Sequence, residues 1–92
     1  MEIIEKAIVE INKDLNLKEL EDLNDDTPII ELLDSVDILN LILAIEENLQ
    51  KEHSNYIQVA NEYIMDKNLS EFKTYKTLKE YIQRLINENN IH

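Results

Sequence analysis

Chemistry in this chain has few places to sit. The first candidate is Asp34-Ser35-Val36-Asp37, a hydroxyl between two carboxylates at the head of the run LLDSVDILNLILAIEENL, residues 32 to 49. Two roles fit these residue types. Asp and Ser can cap a helix, their oxygens accepting orphan backbone N–H bonds, and an acid in the first turn complements the helix dipole. Alternatively, the serine has a covalent role. No His lies near Ser35 in sequence to act as its base. His53 stands in a polar stretch beside Glu52 and Ser54 and is expected in a solvated loop, and the terminal His92 is expected to fray.

Other chemistries are closed off by composition. The chain contains no Cys, so it has no thiol catalyst, disulfide or thiolate metal site. It contains no Gly, which removes any glycine-rich phosphate loop. Neighbouring Glu46 and Glu47 point apart on a helix and make a poor chelate, and Asp25-Asp26 belongs with a turn. With no triad, dyad or metal constellation, the chain is expected not to be an enzyme.

The 92 residues carry a formal net charge of −11. Nucleic acid and anionic membrane both need a basic face and are not expected as partners. The charge is uneven: residues 1–34 hold 11 acids and 3 bases, whereas Lys73, Lys76, Lys79 and Arg84 make the other end locally basic. The longest uninterrupted apolar run, Leu41 to Ile45, is far short of a membrane span. MEIIEKAIVE is acidic and amphipathic, unlike a secretory signal. A single domain over residues 1–92, cytoplasmic and monomeric, is the expectation.

The elements that must position Ser35 follow from periodicity. Ile4, Ile8, Ile11 and Leu15 step by four, three and four, which predicts a helix over about residues 2–15. Residues 16–33 lose that period and read as a long ordered loop. Leu17, Leu20, Leu23, Ile29, Ile30 and Leu32 pin it to the core, and Asp25-Asp26-Thr27-Pro28 forms its turn. Without glycine, turns must use Asn and Asp, which tolerate positive φ.

A second helix is predicted from Ser35 or Val36 to about Lys51. At about 100° per residue, Ile38, Leu41, Ile42, Ile45 and Leu49 share the core face. Asp37, Asn40, Ala44, Glu47 and Asn48 lie opposite. Val36 and Leu43 border that polar strip, with Leu39 further round, so this helix has more apolar surface than one small core needs. HSNYIQVANEY breaks the helix, and Ile57 and Val59 alternate as in extended or irregular chain. A short helix is expected near NLSEF, where Asn68 and Glu71 resemble a capping box. A last helix from about Thr74 buries Leu78, Tyr81, Ile82, Leu85 and Ile86. Tyr56, Tyr63, Tyr75 and Tyr81 are expected to hold their hydroxyls at the surface.

A serine after a long loop, opening an amphipathic helix in a small acidic domain, resembles the acyl and aminoacyl carrier proteins. LLDSVDILNLILAIEENL is similar to that family's Asp-Ser-Leu signature with its closing pair of acids. YIQVANEYIMDKNLSEFKTYKTLKEYI looks like the family's loop, short third helix and closing helix. IIEKAIVEINKDL matches the first helix only in pattern. The resemblance implies an all-α fold, an acyl-carrier-like four-helix bundle of three main helices, one short helix and a long first loop. It implies that Ser35 carries a phosphopantetheine arm, added from coenzyme A by a phosphopantetheinyl transferase. The arm's thiol would hold an acyl or aminoacyl cargo as a thioester and shuttle it between enzymes. The implied partners are a loading ligase and acceptor enzymes with basic docking surfaces. They would meet Asp34, Asp37, Glu46 and Glu47 by charge and Val36, Leu39 and Leu43 by apolar contact. IIELLDS has no glycine before the Asp-Ser pair, and Asn40 stands where fatty-acid carriers are often acidic. The form with Leu-Leu before Asp-Ser looks closer to D-alanine carriers and some stand-alone carriers of secondary pathways, and Asn40 speaks against a standard fatty-acid synthase partner. The other reading is a small acidic helical interaction module without a prosthetic group, with Asp34-Ser35 serving only as a cap.

Overall fold

The computed structural model describes residues 1–54, 57–59 and 70–89. Among them every regular element is helical: α1 Glu2–Leu15, α2 Lys18–Glu21, α3 Ile29–Leu32, α4 Ser35–His53, a 3-10 turn Ser70–Phe72 and α5 Tyr75–Asn89. No helix of the described residues is long and apolar enough to cross a membrane.

α1 forms where the isoleucine spacing predicts it, with Ile3, Ile4, Ala7 and Ile8 buried. Its largest packing partner is α4. The end of α1 is set by two asparagines. Asn16 takes the left-handed conformation at φ 56°, a position glycine usually fills and asparagine tolerates. Asn12, almost fully buried, accepts from the Leu17 N–H at 2.8 Å and donates to the Leu17 carbonyl at 3.1 Å. Both backbone polar groups of Leu17 are thereby satisfied beneath the turn.

The segment expected as a loop over 16–33 holds two single-turn helices, α2 and α3, that bury Leu20 and Ile29. Leu17, Leu23, Ile30 and Leu32 pack half-buried against the same core, and Leu33 joins it fully. Neither turn has enough periodic residues to register as an amphipathic pattern, so tertiary packing stabilises them rather than sequence period. Between them, Thr27 is buried and its hydroxyl accepts from the Asn24 N–H at 2.9 Å. The Thr27 and Asp25 carbonyls accept from the Tyr75 and Lys76 N–H groups, each at 3.0 Å. The loop thus satisfies orphan donors in the first turn of α5, and the Asp25 carboxylate pairs with Lys79.

α4 runs two residues further than expected and takes in His53, so that residue ends a helix rather than standing in a loop. Ser54 follows in the left-handed conformation at φ 60°, a position the Asn and Asp expectation did not include. Ile57 and Val59 have no regular structure, and both are buried. Of the expected short helix near Asn68, only the 3-10 turn at Ser70–Phe72 falls among the described residues, and it buries Phe72. α5 opens on a reciprocal cap: Thr74 Oγ1 accepts from the Thr77 N–H, and Thr77 Oγ1 from the Thr74 N–H. Its face buries Tyr75, Leu78, Tyr81 and Ile82, with Leu85 and Ile86 half-buried.

The expectation of surface hydroxyls fails at two tyrosines. The Tyr81 hydroxyl donates to the Val59 carbonyl in the interior, and the Tyr75 hydroxyl accepts from the Met1 amino group. Tyr56 and Tyr63 lie outside the described residues. The buried side chains of α1, α4, α5, the 3-10 turn and the 57–59 segment form one apolar cluster.

Candidate functional site

α4 places the candidate residues. Its N-terminus is capped by Asp34, whose backbone is extended and whose Oδ1 accepts the Asp37 N–H at 2.8 Å. Ser35 is therefore the first helical residue and not the cap. Its side chain stands exposed at the mouth of a 19-residue helix. The cap bond falls to Asp34, whose carboxylate satisfies the orphan donor, and Ser35 is left exposed.

The two acids interact. The Asp37 carboxyl lies above the ordinary carboxylate range, first because the helix turn withdraws it from water and then because Asp34's charge stands beside it. A positive group arriving from outside would relieve that repulsion. An anion placed on Ser35 would feel it, offset by the free N–H groups and the dipole of the α4 terminus.

The outward face of α4 continues as an apolar stripe. Val36, Leu39 and Leu43 expose 64%, 55% and 54% of their surface. These values settle Leu39 as a surface residue beside the other two. The remainder of the helix behaves as its period requires, with Ile38, Leu41, Ile42, Ile45 and Leu49 buried. Glu47 is exposed on the same outward side and pairs with Lys51 at 3.1 Å. Glu47 also lines a groove of about 580 Å³ between α1 and α4, with Ala7 and Ala44 among its walls, but Ser35 is not part of it.

Glu46 departs from the expected set. It is 9% exposed, and its Oε2 accepts the Val59 N–H at 2.8 Å, so it cannot stand on the surface as a steering charge. The signal was present in the sequence: Glu46 follows Ile42 by four and precedes Leu49 by three, placing it on the core face. The rule that Glu46 and Glu47 diverge holds, with one turned in and one turned out. Asn12 carried the same signal, following Ile8 by four and preceding Leu15 by three, and Tyr81 stood on the expected buried face of the last helix; the carbonyls of Asp25 and Thr27 carry structural roles with no such signal.

Ser35, Val36, Asp37, Leu39, Leu43 and Glu47 thus share the solvent side of one helix with Asp34 at its head. The arrangement can present a nucleophilic oxygen to another protein and offer that protein apolar and acidic contacts. Among the described residues, no three of His, Asp and Glu gather as a metal site. Compared with protein-family models, curated proteins and solved structures, the chain matches none.

Proposed function

We propose that the chain is an acyl or aminoacyl carrier whose Ser35 is modified with phosphopantetheine, and that it is not itself an enzyme. The observation that carries this reading is the division of labour at the head of α4. Asp34 makes the cap bond, and Ser35 keeps an exposed hydroxyl at the start of a helix lined outward by Val36, Leu39 and Leu43. A serine needed only as a cap would hold the bond that Asp34 holds.

Attachment needs one group transfer. The Ser35 Oγ forms a bond to the phosphorus of coenzyme A that carries the pantetheine, and that atom's bond to the bridging pyrophosphate oxygen breaks. The adenosine bisphosphate departs, and the serine proton passes to a base on the transferase. This chain supplies the oxygen and its access. The arm, once in place, supplies the thiol that the chain lacks, and with it a thioester link to the cargo.

Ser35 suits the group: it is exposed, and the helix terminus favours a phosphodiester. Asp34 and Asp37 oppose that charge, and we assign them to basic groups or a bound metal on the transferase and to later partners. Val36, Leu39 and Leu43 give those partners an apolar contact of a few side chains. Such a contact suits weak, reversible docking, and a tethered cargo then reaches each enzyme at high effective concentration. The fold that the resemblance implies, the acyl-carrier-like bundle, belongs to the same proposal.

The test is a mass measurement. The purified chain is incubated with coenzyme A and a phosphopantetheinyl transferase of broad specificity. A mass increase equal to one phosphopantetheine is expected, absent in Ser35→Ala. Unchanged mass with several such transferases would overturn the carrier reading and leave a helical interaction module that uses the α4 stripe alone.

A further inference from the structure

The groove between α1 and α4 lies apart from Ser35. The two helices run antiparallel: Asn48 Nδ2 of α4 donates to the Ile3 carbonyl of α1 at 3.1 Å, while Ala44 and Ala7 line the groove together. Alanine is the smallest residue this chain contains. Where the two alanines meet, the helices leave a trough of about 580 Å³. Val9 forms an apolar lip on the α1 side and is 61% exposed. One exposed valine by itself asks for no partner. This one stands beside an apolar floor, in a channel between two parallel-lying helix axes, which is the setting in which a third helix packs.

Charge selects the kind of helix. α1 carries four acids and two lysines; α4 carries three acids besides the buried Glu46, and one lysine. The exposed pairs Lys6–Glu2, Lys13–Glu10 and Lys51–Glu47 use every one of those lysines within its own helix. Acid therefore remains in excess along the helix pair. A second copy of the chain would bring the same excess against itself, and like charges facing across an interface are costly. A helix with basic edges meets the opposite sign, and exposed pairs of this kind are weak enough to exchange for its bases.

We propose that the α1–α4 groove is a docking site for an amphipathic helix of a partner protein, with its small apolar face on Ala7, Ala44 and Val9 and its basic edges against the acids of the two helices. The site is separate from the Val36, Leu39 and Leu43 stripe, and it needs nothing attached at Ser35. Glu47 borders both surfaces, following Leu43 by four on α4 and lining the groove.

The probe is a synthetic helical peptide with alanine and leucine along one face and lysine along both edges. Its control has glutamate in place of every lysine. Each is titrated into the isotope-labelled, unmodified chain and followed by NMR. The basic peptide is expected to shift the amides of Val9, Ala44 and Asn48 saturably, more weakly as salt rises, and the control to give no saturation. Affinity should fall roughly 10-fold in Ala44→Trp, which fills the trough, and by a similar factor in the double variant Glu5→Lys/Glu10→Lys. Thermal melts establish that each variant folds; if Ala44→Trp does not, Val9→Asp and the double variant carry the same comparison. No saturation with the basic peptide, equal binding of the control, undiminished affinity in the folded variants, or shifts confined to Val36, Leu39 and Leu43 would overturn the proposal. So would the same shifts on raising the concentration of the chain without peptide, which would mark a contact between copies.

Discussion

Replacing Asp34 and Ser35 separately by alanine should have unequal consequences for stability, although the two residues are adjacent and both exposed. Asp34 Oδ1 holds the Asp37 N–H at 2.8 Å, one of the donors an α-helix leaves unpaired at its start. Alanine at an N-cap costs about 1 kcal/mol, within a range of about 0.5–2. The lower half of that range applies here, for two reasons. Water can reach the freed N–H, and removing Asp34 relieves the repulsion that raises the Asp37 carboxyl. For a domain of this size about 1 kcal/mol lowers the melting temperature by roughly 4–8 °C. Asp34→Asn keeps an acceptor of equal capping quality and removes the charge, so its melting temperature should match the parent or exceed it slightly. Ser35→Ala removes no cap bond and installs the best helix former, so it should stay within about 0.5 kcal/mol of the parent. Thermal melts followed by circular dichroism, with urea titrations at fixed pH, measure all three. A Ser35→Ala loss as large as that of Asp34→Ala would mean that the serine carries the cap. The division of labour between the two residues would then be wrong.

Two further outcomes follow from burial and charge. Leu43→Ala should change stability by less than about 0.5 kcal/mol, because the side chain is 54% exposed. Ile45→Ala, two residues on and fully buried, should cost about 2–5 kcal/mol; equal losses in urea titrations would contradict the assigned faces of α4. The Asp25 carboxyl lies below its ordinary value of 3.8 because Lys79 hydrogen-bonds to it and adds its positive charge. A depressed acid stabilises the fold above its unfolded pKa, and that contribution is lost as pH falls through the folded value. Urea midpoints followed downward from about pH 5 should therefore fall less steeply in Asp25→Asn than in the parent; identical slopes would show that the Asp25–Lys79 pair contributes nothing in solution.

Much of α1, α4 and α5 was legible because helical period is a local property. Each buried residue expected on α4, from Ile38 to Leu49, is buried, and the surplus apolar residues Val36 and Leu43 are outside. Leu39 could not be decided from its own helix, since its wheel position borders both faces; only the placement of the other elements left it exposed. The single turns α2 and α3 were hidden for a related reason, being too short to show a period and held by Leu20 and Ile29 in the common core. The site was legible in its residue types at Asp34-Ser35, but not in which oxygen would make the cap bond.

By itself, the sequence determined that the chain folds as helices, that α4 would be over-supplied with apolar surface, and that one serine without a nearby base would stand at its head. These follow from spacing, composition and absent residue types. Tertiary structure alone decided where the unpaired backbone groups found partners. The N–H and carbonyl of Val59 went to Glu46 and Tyr81, those of Leu17 to Asn12, and the first N–H groups of α5 to the carbonyls of Thr27 and Asp25. A buried polar group must be satisfied by whatever the folded chain brings within about 3 Å, and for Val59 and α5 those partners came from segments remote in sequence.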